Sequence, residues 1–167
     1  MICGIINKVI FVKKNKIIII SLITLIIDQI IKFLLINNIN FNEEINIIND
    51  FFSITLVLNE GAAFSMFSGM QFILIMVAIT LLFFIYNCFI KNVNLLKHEI
   101  IVFGILIGGI VGNLIDRIIH NGVIDYLDFN ILGYNAPIFN FADICIVMTM
   151  LILLIKELVG GTNNENK

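Results

Sequence analysis

Polar residues are sparse along this chain, and the apolar intervals between them set its elements. Four stretches are long enough to cross a ~30 Å hydrocarbon core as helices, which takes about 20 residues: roughly 17–36, 71–90, 100–119 and 139–159. The first admits Asp28 and Lys32, whereas no charged residue occurs from Gly61 to Ile90. Between the first two stretches, segment 37–70 contains "INIINDFFSITLVLN", β-branched and aromatic with a turn signal at Asn49-Asp50, which predicts a small hairpin or sheet. Segment 120–138 reads as a connecting loop, and 160–167 as a disordered tail. Gly104, Gly108 and Gly112 recur every four residues, a ridge of small residues suited to close helix packing. The fold class expected is a mainly α membrane protein, a four-transmembrane-helix bundle with a small β-sheet outside the bilayer, in one domain spanning 1–167.

Composition agrees with that pattern. Of 167 residues, 60% are hydrophobic and only 13% charged, with a mean hydropathy of +1.07, values of an integral membrane protein. A net charge of -2 offers no basic field for nucleic acid to follow. The position of the lysines sets orientation. Lys8, Lys13, Lys14 and Lys16 precede the first stretch, Lys91 and Lys97 join the second to the third, and Lys156 and Lys167 follow the fourth, while 37–70 and 120–138 hold no Lys or Arg. The positive-inside rule then puts both termini and the middle connection in the cytoplasm. The basic start resembles a signal peptide, but no cleavage site of small residues follows, so it is read as a retained first span. Cys3, Cys88 and Cys145 are isolated, and His98 and His120 fall on opposite sides of the bilayer, so neither a metal site nor a cofactor is expected.

With this topology the polar residues of oppositely directed helices meet in one layer. Asp28 lies past the middle of an outward helix with Lys32 one turn further out, Asn113, Asp116 and Arg117 close the third stretch, and Asp143 opens the fourth. Asp28 and Lys32, four apart, can pair on one helix face as structural support. Asn113 and Arg117 share a face with Asp116 beside them, and Arg117 and Asp116 are read as orienting a loop or a substrate backbone. Asn140 and Asp143, three apart, project from one face of the fourth helix, with Pro137 suited to its entrance. Asp125 lies in the 120–138 segment, which must return to the helix that carries Asp143. Two carboxylates in a partly dehydrated site cannot both ionise easily, so one retains a proton. The ionised acid can then activate water while the neutral one polarises a carbonyl, the division of labour that metal-free amide hydrolysis needs. No Ser or Cys has the partners of a competing nucleophile.

At these residues the sequence resembles the bacterial lipoprotein signal peptidase (signal peptidase II) family. The resemblance runs through "DQIIK", "NEGAAFSMF", "GGIVGNLIDRI", "GVIDY" and "PIFNFAD", in that order over most of the chain. It implies an aspartic endopeptidase that removes the signal peptide of a prolipoprotein just before a cysteine bearing a diacylglyceryl group. The catalytic dyad would be Asp125 and Asp143. Asn59, Gly61, Asn113, Arg117 and Asn140 match positions used around substrate, while Asp28, Lys32 and Asp116 support structure. The same resemblance implies a β-cradle on the membrane surface, a bacterial cytoplasmic (inner) membrane location with the site near the outer leaflet, lipid and the lipidated precursor as partners, and a monomer. Two residues depart from the family pattern: Tyr126 stands where Phe is usual, and Ile144 where Ser is common.

Two other classes fit the same residues less well. A proton- or ion-coupled transporter would step polar groups through the bilayer, which the second stretch does not do. A non-catalytic scaffold would account for the glycine ridge and leave the acids without a purpose.

Overall fold

The structure is a computed structural model that describes residues 2–61, 68–91 and 95–161. Positions 62–67 of the "NEGAAFSMF" block and 162–167 of the tail lie outside the described residues. Helix α1 runs Ile2–Asn38, beginning well before the apolar stretch that predicts it. Helix α2, Gln71–Ile85, continues through a π-helical turn, Tyr86–Ile90. Helix α3 covers Lys97–His120 and α4 covers Phe141–Gly161. By length and composition, Lys13–Asn38, Gln71–Ile90 and Lys97–His120 can each cross a membrane. Helix α4 is apolar between Asp143 in its first turn and Lys156-Glu157 near its end.

Helix α3 is central, packing on α1, α2 and α4. The glycine ridge explains how closely α1 approaches. A Cβ on Gly104 would fall 2.6 Å from Ile20 Cβ, one on Gly108 2.6 Å from Thr24 Cβ, and one on Gly112 2.5 Å from Asp28 Oδ2. Three glycines four apart thus meet three α1 residues four apart, and the backbones close to a distance that any side chain would prevent. Gly109 faces the other way, against the Ala142 carbonyl of α4. Below this seam, Ile17, Ile85, Ile100, Phe103 and Leu106 form one buried apolar cluster.

At the other end of the helices sits a four-stranded antiparallel sheet, β1 (Glu44–Ile48), β2 (Phe52–Asn59), β3 (Val123–Ile131) and β4 (Tyr134–Asn135), in sequential order. The β1–β2 turn falls on Asn49-Asp50 as the sequence predicts, with Asp50 at φ 57°. Leu56, Ile124 and Tyr126 are buried against Ile31, Leu35 and Phe141, which seats the sheet on the ends of α1 and α4. Phe52, Phe129 and Phe139 stack in a row across it.

Asp125 is not on a loop but in β3, paired across from Val57 of β2. Val123 to Tyr126 are all buried, because this part of the strand is covered on both faces, and a strand covered on both faces lacks the alternation that marks one in sequence. Pro137 likewise lies ahead of the α4 entrance. The chain after it makes a bridge from Phe139 to Leu127 before the helix starts at Phe141.

Candidate active site

Helix α4 begins with a reciprocal cap. Asn140 Oδ1 accepts the Asp143 amide at 3.0 Å, and Asp143 Oδ2 accepts the Asn140 amide at 3.2 Å, the capping-box geometry with Asn and Asp in its two roles. The N-x-x-D spacing was visible in "FNFAD" and could have been read as a cap. Two further amides are held from elsewhere, Phe141 N donating to the Tyr126 hydroxyl at 3.1 Å and Ala142 N to Asp28 Oδ1 at 3.2 Å, while Ile144 N makes the first helical bond, to the Asn140 carbonyl at 3.3 Å. All the orphan donors of a helix start are therefore satisfied, by groups from α1, β3 and the turn itself.

The same turn organises the acids. Asn140, fully buried, sends Nδ2 to Asp125 Oδ1 at 2.6 Å. Asp125 Oδ2 accepts from Asn59 Nδ2 at 2.9 Å. Asn59 can reach it because a bulge in β2 between Ile54 and Val57 brings Asn59 opposite Val123, diagonal to Asp125. Asp143 Oδ1 accepts from Asn113 Nδ2 at 2.7 Å. Each carboxylate thus receives one N–H on each oxygen, and Asn140 touches both.

Behind Asn113 lies a buried ionic cluster. Lys32 Nζ is 2.9 Å from Asp28 Oδ2, 2.6 Å from Asp116 Oδ2 and 3.1 Å from Asn113 Oδ1, with all three ionic side chains at most 2% exposed. Gln29, which the sequence reading did not single out, donates Nε2 to Asp116 Oδ1 at 2.9 Å and to Asp28 Oδ2 at 3.2 Å. Its signal was present: an amide directly beside an acid in an apolar run. Asp116 Oδ2 also accepts the Ile124 amide at 3.2 Å, tying α3 to β3. Arg117 holds the Asn113 carbonyl at 3.2 Å and the Gly61 carbonyl at 3.3 Å, and Gly61 N donates to Asn59 Oδ1 at 3.0 Å. Its Nε is buried without a hydrogen-bond partner among the described residues.

Asn59, Gly61, Asn113, Arg117, Asp125 and Asp143 all line one cavity of about 830 Å³. Its lining is otherwise largely apolar, including Leu74, Val77, Ala78 and Leu81 of α2 and, one turn along α4 from Asp143, Ile146 and Val147. Every residue named from sequence for the site or its support is therefore found in the cavity or in the network directly behind it. Burial raises the Asp125 carboxyl to about 6, against the lowering by the Asn59 hydrogen bond, and the nearby Asp143 charge adds to the rise. Burial also raises the Tyr126 hydroxyl. Among the described residues no three His, Cys, Asp or Glu side chains form a metal-ligand set.

Long apolar helices joined by a buried polar cluster, with an acid-lined cavity under a small sheet, define a multi-pass membrane protein with an enzyme-like site. The comparisons specify which. The family described as Signal peptidase (SPase) II matches residues 20–159. A lipoprotein signal peptidase of Staphylococcus aureus is 33% identical over 150 residues, covering 90% of this chain and 92% of that protein. Two solved structures, each described as a bacterial membrane enzyme studied by the in meso method, superpose with TM-scores of 0.83 and 0.76. They are 29% and 30% identical in sequence, covering 92% and 86% of this chain and 93% of each of theirs. The chain belongs to the signal peptidase II family and is a membrane peptidase.

Proposed function

We propose that this protein is an aspartic endopeptidase that removes the signal peptide from diacylglyceryl-modified prolipoproteins, cutting just before the lipidated cysteine. The observation that carries this reading is the pairing of Asp125 and Asp143 through Asn140 in a cavity whose lining is otherwise largely apolar. An acyl-anchored peptide fits such a space, its lipid against α2 and α4 and its backbone toward the acids.

The chemistry follows from sharing one proton between two acids. The ionised carboxylate takes a proton from water as the oxygen attacks the scissile carbonyl carbon, and the neutral acid gives its proton to the carbonyl oxygen. The tetrahedral intermediate collapses as the first acid passes the water proton to the amide nitrogen and the second, now ionised, takes back a hydroxyl proton; the C–N bond breaks, and the cysteine leaves with a free amine. Asn59, Asn113 and Asn140 hold the acids, and Arg117, which lines the cavity beside them, is placed to meet a substrate carbonyl. Because the acids are coupled, the dyad titrates as a unit. No metal or cofactor enters this scheme.

The chain is taken as one domain of four spans, with both termini in the cytoplasm, the sheet outside and the site near the outer leaflet of the bacterial cytoplasmic membrane, acting as a monomer. The lysine distribution and the shared level of the acids support that layout. The test is processing of a precursor in detergent or vesicles. Lipidated precursor is cleaved before its cysteine, unlipidated precursor is not, and Asp125→Asn or Asp143→Asn each abolishes cleavage in a folded protein. Equal cleavage of both precursors, or activity surviving either substitution, refutes the proposal.

A further inference from the structure

We propose that Lys32 is a positioning residue for hydrolysis, acting on Asp143 through the side-chain amide of Asn113. This rests on the two-acid reading above. The sequence assigns Lys32 only to structural support, and an ion pair with Asp28 would satisfy that role. The structure gives its third hydrogen a further partner.

An ammonium has three donors and no acceptor. Two of those donors are taken by Asp28 Oδ2 and Asp116 Oδ2, and the third faces Asn113 Oδ1 at 3.1 Å. Asn113 must therefore present its oxygen to Lys32, which turns its Nδ2 toward Asp143 Oδ1, 2.7 Å away. An oxygen that accepts this N–H is held as an acceptor in a fixed rotamer. The other donor to Asn113 Oδ1 is Asn140 Nδ2 at 3.2 Å, but that amide makes its shorter bond, 2.6 Å, to Asp125. The charge-assisted contact from Lys32 is the stronger anchor of the amide. The same pair also reaches α4 through the backbone, since Asp28 Oδ1 accepts Ala142 N.

A clamp between α1 and α3 and a director of the Asn113 amide make different demands. A clamp works with any well-packed neutral pair of similar volume. Direction of Asn113 requires an N–H donor at position 32. Asp28→Asn/Lys32→Met keeps the net charge of the cluster and an oxygen for Ala142 N but presents no donor to Asn113. Asp28→Asn/Lys32→Gln restores a neutral donor there.

The test measures kcat and KM on a lipidated precursor for both double variants, with Asp116→Asn/Lys32→Met and its Gln counterpart as a second route to the same comparison. For the Met versions kcat falls about 10- to 100-fold, the scale of a misplaced catalytic group, while KM stays close to that of the parent. The Gln versions recover most of the rate. Met and Gln versions of equal kcat overturn the proposal, as does a loss that appears in KM. Failure of both Met versions to fold assigns Lys32 to the helix clamp and overturns it as well. A parent that does not process the precursor sinks the two-acid reading, which the parent and Asp143→Asn controls detect separately.

Discussion

Asn140 and Asp143 cap each other: each side chain accepts the other's backbone amide, at 3.0 and 3.2 Å. The acid proposed for catalysis is therefore also part of the start of its own helix, and the two functions separate by mutation. Asn140→Ser keeps an oxygen for the Asp143 amide but has no amide nitrogen for Asp125. Asn140→Ala has neither. Both variants lose processing, and only Ala loses the cap, worth ~1 kcal/mol. Thermal unfolding beside the processing assay distinguishes them, and equal stability of the two variants would contradict this division.

Replacing Gly108 by Ala puts a methyl 2.6 Å from Thr24 Cβ and 2.7 Å from the Ser21 carbonyl. Because backbone is involved, α1 and α3 have to separate, at a cost of about 1–3 kcal/mol. That separation also draws Lys32 away from Asn113. Gly108→Ala is expected to lower both the unfolding midpoint and the rate, although it lies below the polar layer. Unchanged activity in that variant would show that the helix spacing is not transmitted to the cavity.

The raised Asp125 carboxyl makes stability depend on pH. The folded protein holds this proton up to about pH 6, whereas the ordinary value is 3.8, so its contribution is complete below the ordinary value and lost as pH rises through 6. Asp125→Asn has no proton to lose. As pH is raised from about 4.5 to 7.5, the parent is expected to lose stability relative to Asp125→Asn. Parallel unfolding curves across that range would mean that Asp125 ionises as an ordinary carboxylate.

Tyr126 supplies the oxygen that accepts Phe141 N. In Tyr126→Phe the ring still fills its buried place, but one amide at the helix start is left without its partner, at about 1–3 kcal/mol. Both acids keep every hydrogen bond described, so the variant is expected to be less stable and still to process precursor. A variant as stable as the parent would show that another group takes over this amide.

Much of the architecture was legible because lipid-compatible helices announce themselves by length, and because an acid in an apolar run demands a reason. Asp28, Lys32, Asn113, Asp116 and Asp143 fell into one layer from helix direction alone. The strand that carries Asp125 was not legible. Val123, Ile124, Asp125 and Tyr126 are buried together, and a strand enclosed on both faces reads as an undifferentiated apolar run. Gln29 does not stand out, and the Tyr126 hydroxyl stands out only as a departure from the family pattern, for a different reason. The amide beside Asp28 and the added hydroxyl are visible in the sequence, but their partners on other elements are atoms 87 and 15 positions away, and local spacing does not name them.

The first turn of α4 draws its hydrogen-bond partners from a helix synthesised over a hundred residues earlier and from a strand that pairs with β2, on the far side of α2 and α3 in sequence. A half-inserted nascent chain consequently carries two unremarkable acids with nothing to aim them. Cleaving power would arrive only once α4 has docked against α1 and β3, so the bilayer would not be exposed to a protease that is still being built.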